Sequence, residues 1–220
     1  MSHELVAAAA GAVLALAAWR VARHVVTLVH EAGHALVAVL TGRRLSGIRL
    51  HRDTSGLTTS IGRPHGPGMV ATAAAGYLAP SALGLGGAWL VHLGRTGWTL
   101  WVSLAVLAAM LVFIRNWFGL LVVLLAGLVV AVLIWRTSED VQELAALTFS
   151  WLLLVGGPRA SLELWVSRRR SRARTSDADV LARLTRVPAA VWNALFVLLT
   201  LAALWPASSM LDWEVWASSR

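Results

Sequence analysis

Apolar residues fill almost every position from 5 to 41, with Arg20, Arg23 and His24 as the interruptions. A bilayer asks for about 20 consecutive apolar residues per helix. This stretch therefore holds one long tilted helix, or two helices broken near Trp19–His24. Thr41–Gly42 ends it. From 47 to 68 the pattern changes to GIRLHRDTSGLTTSIGRPHGPG, with β-branched residues, alternation and a Ser55–Gly56 turn signal. That pattern predicts a short β-hairpin over about 47–61, at the membrane edge and not spanning it. Beyond Pro67 the apolar runs return, and spans are expected at about 69–93, 98–114, 117–135, 141–157 and 187–205. In the run at 69–93, Gly76, Gly84, Gly86 and Gly87 allow close helix packing, and Pro80 implies a kink. Trp19, Trp98, Trp117, Trp135 and Trp205 stand near span ends, where interfacial anchors belong. The pattern predicts an all-α polytopic membrane protein. It has about six transmembrane helices, with a short β-hairpin after the first, in a single integral domain over 1–220.

Composition agrees. The 220 residues are 58% hydrophobic, well above the roughly 45–50% of soluble domains. With no cysteine, disulfides and thiolate metal sites are excluded, and a metal must be held by His, Asp or Glu. All 19 basic residues are arginine, and the net charge is +8. In a membrane protein such arginines set topology and meet the anionic headgroups of the lipid bilayer, so no nucleic-acid partner is expected. The N-terminus shows neither a basic n-region nor a clear cleavage site, and no removable signal peptide is expected. An even number of spans puts both termini on one side. Arg43, Arg44, Arg49, Arg52, Arg63, Arg115, Arg159 and the cluster at 168–186 fall on the other. The positive-inside rule then places the hairpin and a basic loop over about 158–186 in the cytoplasm. The final WPASSMLDWEVWASSR reads as an amphipathic interfacial tail anchored by Trp213 and Trp216.

One segment breaks the apolar logic. VTLVHEAGHALVAVLTG, residues 26–42, carries His30, Glu31 and His34 inside hydrocarbon. Each such group costs about 2.5–3.5 kcal/mol on insertion scales, so three in five residues call for a use. Positions i and i+4 share a helix face, and two imidazoles so placed can bind one Zn²⁺. Glu31 adjoins them and can take a proton from water on that metal as it attacks a carbonyl. Ala32 and Gly33 are small and leave room beside the metal. A catalytic zinc needs a third protein ligand. The available acids are Asp53 in the hairpin, Glu139, Asp140 and Glu143 on the far side, Glu163, and the pair Asp177 and Asp179. The Asp pair lies on the side that His34 approaches. His34 sits some 12 Å below the helix end, so this pair must dip inward, through a re-entrant turn or a short helix before Pro188. Ser176–Asp177 also reads as a helix N-cap, and capping and ligation can fall to different members of the pair. His24 is off the His30 face. His51 and His65 belong to the hairpin region, and His92 to a span end. Asn116 reads as an interfacial loop residue.

HEAGH in the first apolar segment, the Gly-bearing hairpin, RNWFG at 115–119 and SDADVLARLTRVPAAVW at 176–192 together resemble the M50 group of intramembrane metalloproteases. This is the site-2 protease class, and the likeness is to its M50B-like branch. The resemblance implies a zinc-dependent intramembrane endopeptidase of a bacterial plasma membrane, with its active site towards the cytoplasm. It implies a membrane-spanning protein substrate and Glu-assisted attack of zinc-bound water. It implies His30, His34 and Asp177 as zinc ligands, Glu31 as base, and Asn116 as a substrate-binding residue. The chain lacks the N-x-x-P-x-x-x-L-D-G pattern that carries the Asp in better-known members. A catalytically inactive relative that binds transmembrane partners, as a chaperone or adaptor, is the competing reading. A metal transporter would need further ionisable residues in mid-span, and 98–114, 117–135 and 187–205 offer almost none. An exposed hairpin edge near 47–61 could capture an unwound substrate by strand addition.

Overall fold

The long apolar opening is two helices. The computed structural model describes residues 3–170 and 174–211. In it α1, His3–Ala17, and α2, Trp19–Leu40, meet at Ala18 with a bend of 102°. The break falls one residue before the expected Trp19–His24 window. A helix that stops inside protein leaves its last carbonyls without partners. Here Arg159 supplies them: its Nη1 donates to Ala15 O at 3.0 Å and Leu16 O at 2.7 Å, and its guanidinium lies over the Trp19 ring at 4.7 Å. Trp19 Nε1 donates in turn to Glu163 at 2.5 Å.

Next come β1, Arg44–Leu50, and β2, Gly56–Ile61, an antiparallel hairpin with Ile48 opposite Thr58 and Leu50 opposite Gly56. Then follow α3, Pro67–His92; α4, Thr96–Phe113; α5, Trp117–Arg136; and α6, Glu139–Arg170. The short α7, Asp177–Thr185, precedes α8, Ala189–Ala202, and α9, Leu204–Leu211. Five helical runs are long and apolar enough to cross a membrane, and the bent α1–α2 pair makes six if it counts as one span. α5 exposes Leu124, Leu125, Leu128 and Val129 by half or more. Such a surface is stable against lipid and not against water. The chain is a multi-pass membrane protein.

Two points add to the expectations. The hairpin does not stand clear of the helices but packs on them. Ile48 and Leu50 are buried in a cluster with Leu28 and Ala35 of α2, Met110 of α4 and Val123 of α5, so the sheet reaches the level of the HEAGH turn. The basic loop expected over about 158–186 is helical as far as Arg170 and again from Asp177. Pro158 sits inside α6, and Arg159 belongs to the helix bundle, not to a loop. The tail with Trp213 and Trp216 lies outside the described residues.

Small residues let the long helices touch, as apolar solvent requires. A methyl group on Gly84 of α3 would meet the Ser150 carbonyl of α6 at 2.6 Å, and one on Gly157 would run into Ser81. α3 continues through Pro80 as one helix.

Candidate metal centre

α2 uses two adjacent faces. Leu28, Glu31 and Ala35, spaced i, i+3, i+7, lie beneath the hairpin. His30 and His34, spaced i, i+4, turn towards α3 and α7. There the structure brings three ligand atoms together. His30 Nε2 and His34 Nε2 are 3.1 Å apart, and Asp177 Oδ2 is 3.2 Å from the first and 3.3 Å from the second. Donors about 2.0–2.2 Å from a tetrahedral zinc stand roughly 3.3–3.5 Å apart, so the triangle is close to the size that ion needs.

The protonation pattern fits as well. His34 Nδ1 is 2.7 Å from the Thr72 carbonyl. A carbonyl only accepts, so Nδ1 carries the proton and Nε2 presents its lone pair to the centre. His30 Nε2, His34 Nε2 and Asp177 Oδ2 converge on one point, a nitrogen and oxygen set of the kind that zinc takes. The donor set therefore suits a divalent metal, and among the described residues it is the group of His and acid side chains arranged to hold one.

α7 explains how an Asp reaches this depth. Ser176 caps the helix: its Oγ accepts from Asp179 N at 3.4 Å, and Asp179 Oδ2 accepts from Ser176 N at 3.2 Å. This reciprocal cap uses Asp179, which also pairs with Arg168 at 2.9 Å. Asp177, in the first turn, is left free to face the histidines. One member of the pair thus caps α7 and the other faces the histidines, on a short helix before Pro188.

The other acids are placed elsewhere. Asp53 accepts from Ser55 N at 3.0 Å and Ser55 Oγ at 2.7 Å, and these bonds hold its carboxyl below the usual carboxylate range. It closes the hairpin turn. Glu163 binds Trp19, and Glu139 and Asp140 open α6. His24 packs edge-on against Phe118, and His51 faces Ser55 at 3.3 Å.

Space for the imidazoles does not come from Ala32 and Gly33. Gly33 packs against Ala75 and Ala79 of α3, and Ala32 packs in the cluster under the hairpin. The room comes from Gly76 of α3, where a methyl group would collide with His34 Nε2 and lie 2.7 Å from His30 Cε1. Tyr77 stands beside it, edge-on to His30 with ring centres 4.7 Å apart. Thr72, Gly76 and Tyr77 line the site without having been singled out for it. Their signal in the sequence was weak: a hydroxyl and a phenol in an otherwise Ala-rich span.

Asn116 sits on the hairpin. Its Nδ2 donates to Leu50 O at 2.6 Å, and its Oδ1 accepts from Leu50 N at 3.1 Å. Arg115 N donates to Ile48 O at 2.9 Å, and Ile114 bridges Ile48 in parallel. Residues 114–116 thus cover the outer edge of β1 through one parallel bridge and the Asn116 side chain. β2 pairs with β1 on one side. Its other edge carries no strand among the described residues and lines a cavity of about 1350 Å³ that also holds His30, Glu31, His34 and Asp177.

A multi-pass helical bundle that brings two histidines and an aspartate together defines a class of integral membrane protein with a candidate metal site. The family model described as Peptidase M50B-like matches residues 4–207, and the chain belongs to that family. No curated protein and no solved structure matches it.

Proposed function

We propose that this protein is a zinc-dependent intramembrane endopeptidase acting on membrane-spanning proteins. The observation that carries the reading is the donor triangle of His30, His34 and Asp177, with Glu31 in the same cavity. Membership of a peptidase family that is typically zinc-dependent supports it. A silent relative is favoured by a missing third donor, and Asp177 at 3.2–3.3 Å from both histidines speaks against that.

His30, His34 and Asp177 would hold the ion, and Thr72 keeps the His34 ring in its ligating tautomer. A bound Zn²⁺ supplies the Lewis acidity that makes water a nucleophile near neutral pH. Glu31 takes a proton from the attacking water and passes it to the amide nitrogen that leaves, so water and one peptide bond yield an acid and an amine. The cavity exceeds the ~300–1,000 Å³ of small-ligand pockets, and an extended peptide segment suits its size. The hairpin, residues 114–116 and the start of α7 lie on the side of the site. Arg43, Arg44, Arg49, Arg52, Arg63 and Arg115 occur there, which supports a cytoplasmic placement.

The test is cleavage of a tagged single-span protein in zinc-loaded proteoliposomes. Wild type is expected to cleave, and Glu31→Gln to lose at least about a hundredfold in rate, the scale of general-base catalysis, with zinc content unchanged. Equal rates for the two would sink the proposal.

A substrate helix hides its amides in its own hydrogen bonds and must unwind before attack. The unpaired β2 edge offers replacement partners through strand addition. Asn116 then serves substrate indirectly, by fixing the sheet. In β2 the backbone groups of Leu57 and Thr59 face β1, and those of Gly56, Thr58 and Ser60 face the open edge. Ser60→Pro is expected to raise KM severalfold at constant zinc content, since proline removes a donor from that edge. An unchanged KM in Ser60→Pro would discard strand capture.

A further inference from the structure

The sheet face that covers α2 is mixed. Ile48 and Leu50 of β1 are apolar and buried, whereas their partners on the same face of β2 are Thr58 and Gly56. A strand seated on a membrane-embedded helix would ordinarily carry apolar residues there. Both exceptions stand over one side chain. Thr58 Oγ1 donates to Glu31 Oε2 at 2.6 Å, and the Glu31 backbone carbonyl is a second acceptor at 3.2 Å. Gly56 lies so close to the other side of the carboxylate that a methyl group on it would strike Oε1 and stand 2.6 Å from Cγ and Cδ. Glu31 is 3% exposed. Thr27 Oγ1 adds a further tie, donating to Thr54 O at 2.8 Å.

We infer that Thr58 is a positioning residue for Glu31: its hydroxyl fixes one carboxylate oxygen, and the Gly56 backbone closes the other side, so β2 sets the orientation of the base. The inference rests on the endopeptidase reading above. The strand whose free edge lines the substrate cavity is thereby the strand that aims the base. A segment that pairs with β2 meets a base already oriented by it. Glu31 lines the cavity that holds the donor triangle, and its carboxylate is held there from the β2 side. A carboxylate with one oxygen held by a short charge-assisted hydrogen bond keeps a single rotamer, and the fixed geometry lowers the barrier for proton transfer.

Thr58→Val keeps shape and removes the hydroxyl, while Thr58→Ser keeps the hydroxyl and removes a methyl. In the proteoliposome assay, Thr58→Val is expected to lower kcat about tenfold or more, the value of one charge-assisted hydrogen bond, with KM and bound zinc unchanged. Thr58→Ser is expected to retain a rate within about twofold of wild type on the same argument. Gly56→Ala, which displaces the carboxylate without touching the hydroxyl, is expected to lower kcat by a similar factor. Amide hydrogen exchange over residues 56–61 reads the contact without any cleavage: faster in Thr58→Val and Glu31→Ala, unchanged in Thr58→Ser. A packing role predicts the reverse order, with Val near wild type and Ser impaired, and that order overturns the inference. Full kcat in Thr58→Val alongside a dead Glu31→Gln also overturns it and leaves the endopeptidase reading standing. An active Glu31→Gln fails that reading instead.

Discussion

Asp177→Ala and His34→Ala will purify without zinc, and Asp179→Asn will keep it. The difference follows from two residues that sit two positions apart on one short helix. Apparent zinc affinities of about 10–16 kcal/mol spread over four ligands give roughly 3 kcal/mol per ligand, or more than a hundredfold in Kd. Asp177 places its Oδ2 against both imidazoles, so its loss leaves two ligands on one helix face. Asp179 places its carboxylate on the Ser176 cap and on Arg168. Its loss costs about 1 kcal/mol of capping and weakens the tie between α6 and α7. The expected result is a lower thermal midpoint with near-stoichiometric zinc. Metal analysis of detergent-purified protein, with a competing chelator to rank affinities, checks both arms. Zinc retained by Asp177→Ala and lost by Asp179→Asn would reverse the assignment of the pair.

That assignment shows where sequence reasoning ends. Two histidines four apart declare a shared helix face without further context, because helical periodicity is local. The spans are as legible, since the length and apolarity that a bilayer demands are written in consecutive residues. The choice between Asp177 and Asp179 is a matter of which way α7 turns, and that is decided by Ser176, by Arg168 from another helix and by packing of Ala178 and Leu181 against α3 and α8. The Ser176–Asp179 cap has a spacing of three that can be read, but the Arg168 pair and the packing have none. The hairpin shows both sides at once. Its turn and strands follow from Ser55–Gly56 and β-branched alternation. Its depth depends on Ile48 and Leu50 finding Met110 and Val123, more than 50 residues further along. The same holds for α6, where Pro158 and Arg159 suggested an end. Proline is tolerated in a helix packed among neighbours in a membrane, and Arg159 found the free carbonyls of α1.

Gly76→Ala will abolish zinc binding through a single methyl group, although residue 76 donates nothing to the metal. Gly76 is read from sequence as one of four small residues for helix packing. A Cβ there would collide with His34 Nε2 and approach His30 Cε1 to 2.7 Å, well inside van der Waals contact. α3 has little room to retreat from α2, because α6 already touches it at Gly84 and Ser81. The imidazoles must move instead, and two ligands displaced together forfeit on the order of 6 kcal/mol by the same per-ligand scale. Gly86→Ala is the matched control on the same helix, with nothing within 4 Å of an added Cβ. It is expected to bind zinc as wild type does and to gain up to about 1 kcal/mol of helix stability. If Gly76→Ala held zinc at wild-type affinity, the ring positions that define the donor triangle would be wrong. If both variants lost zinc, α3 as a whole would be too sensitive to substitution for the contact at 76 to be singled out. The contrast between two glycines ten residues apart therefore tests the triangle by its walls, independently of its ligands.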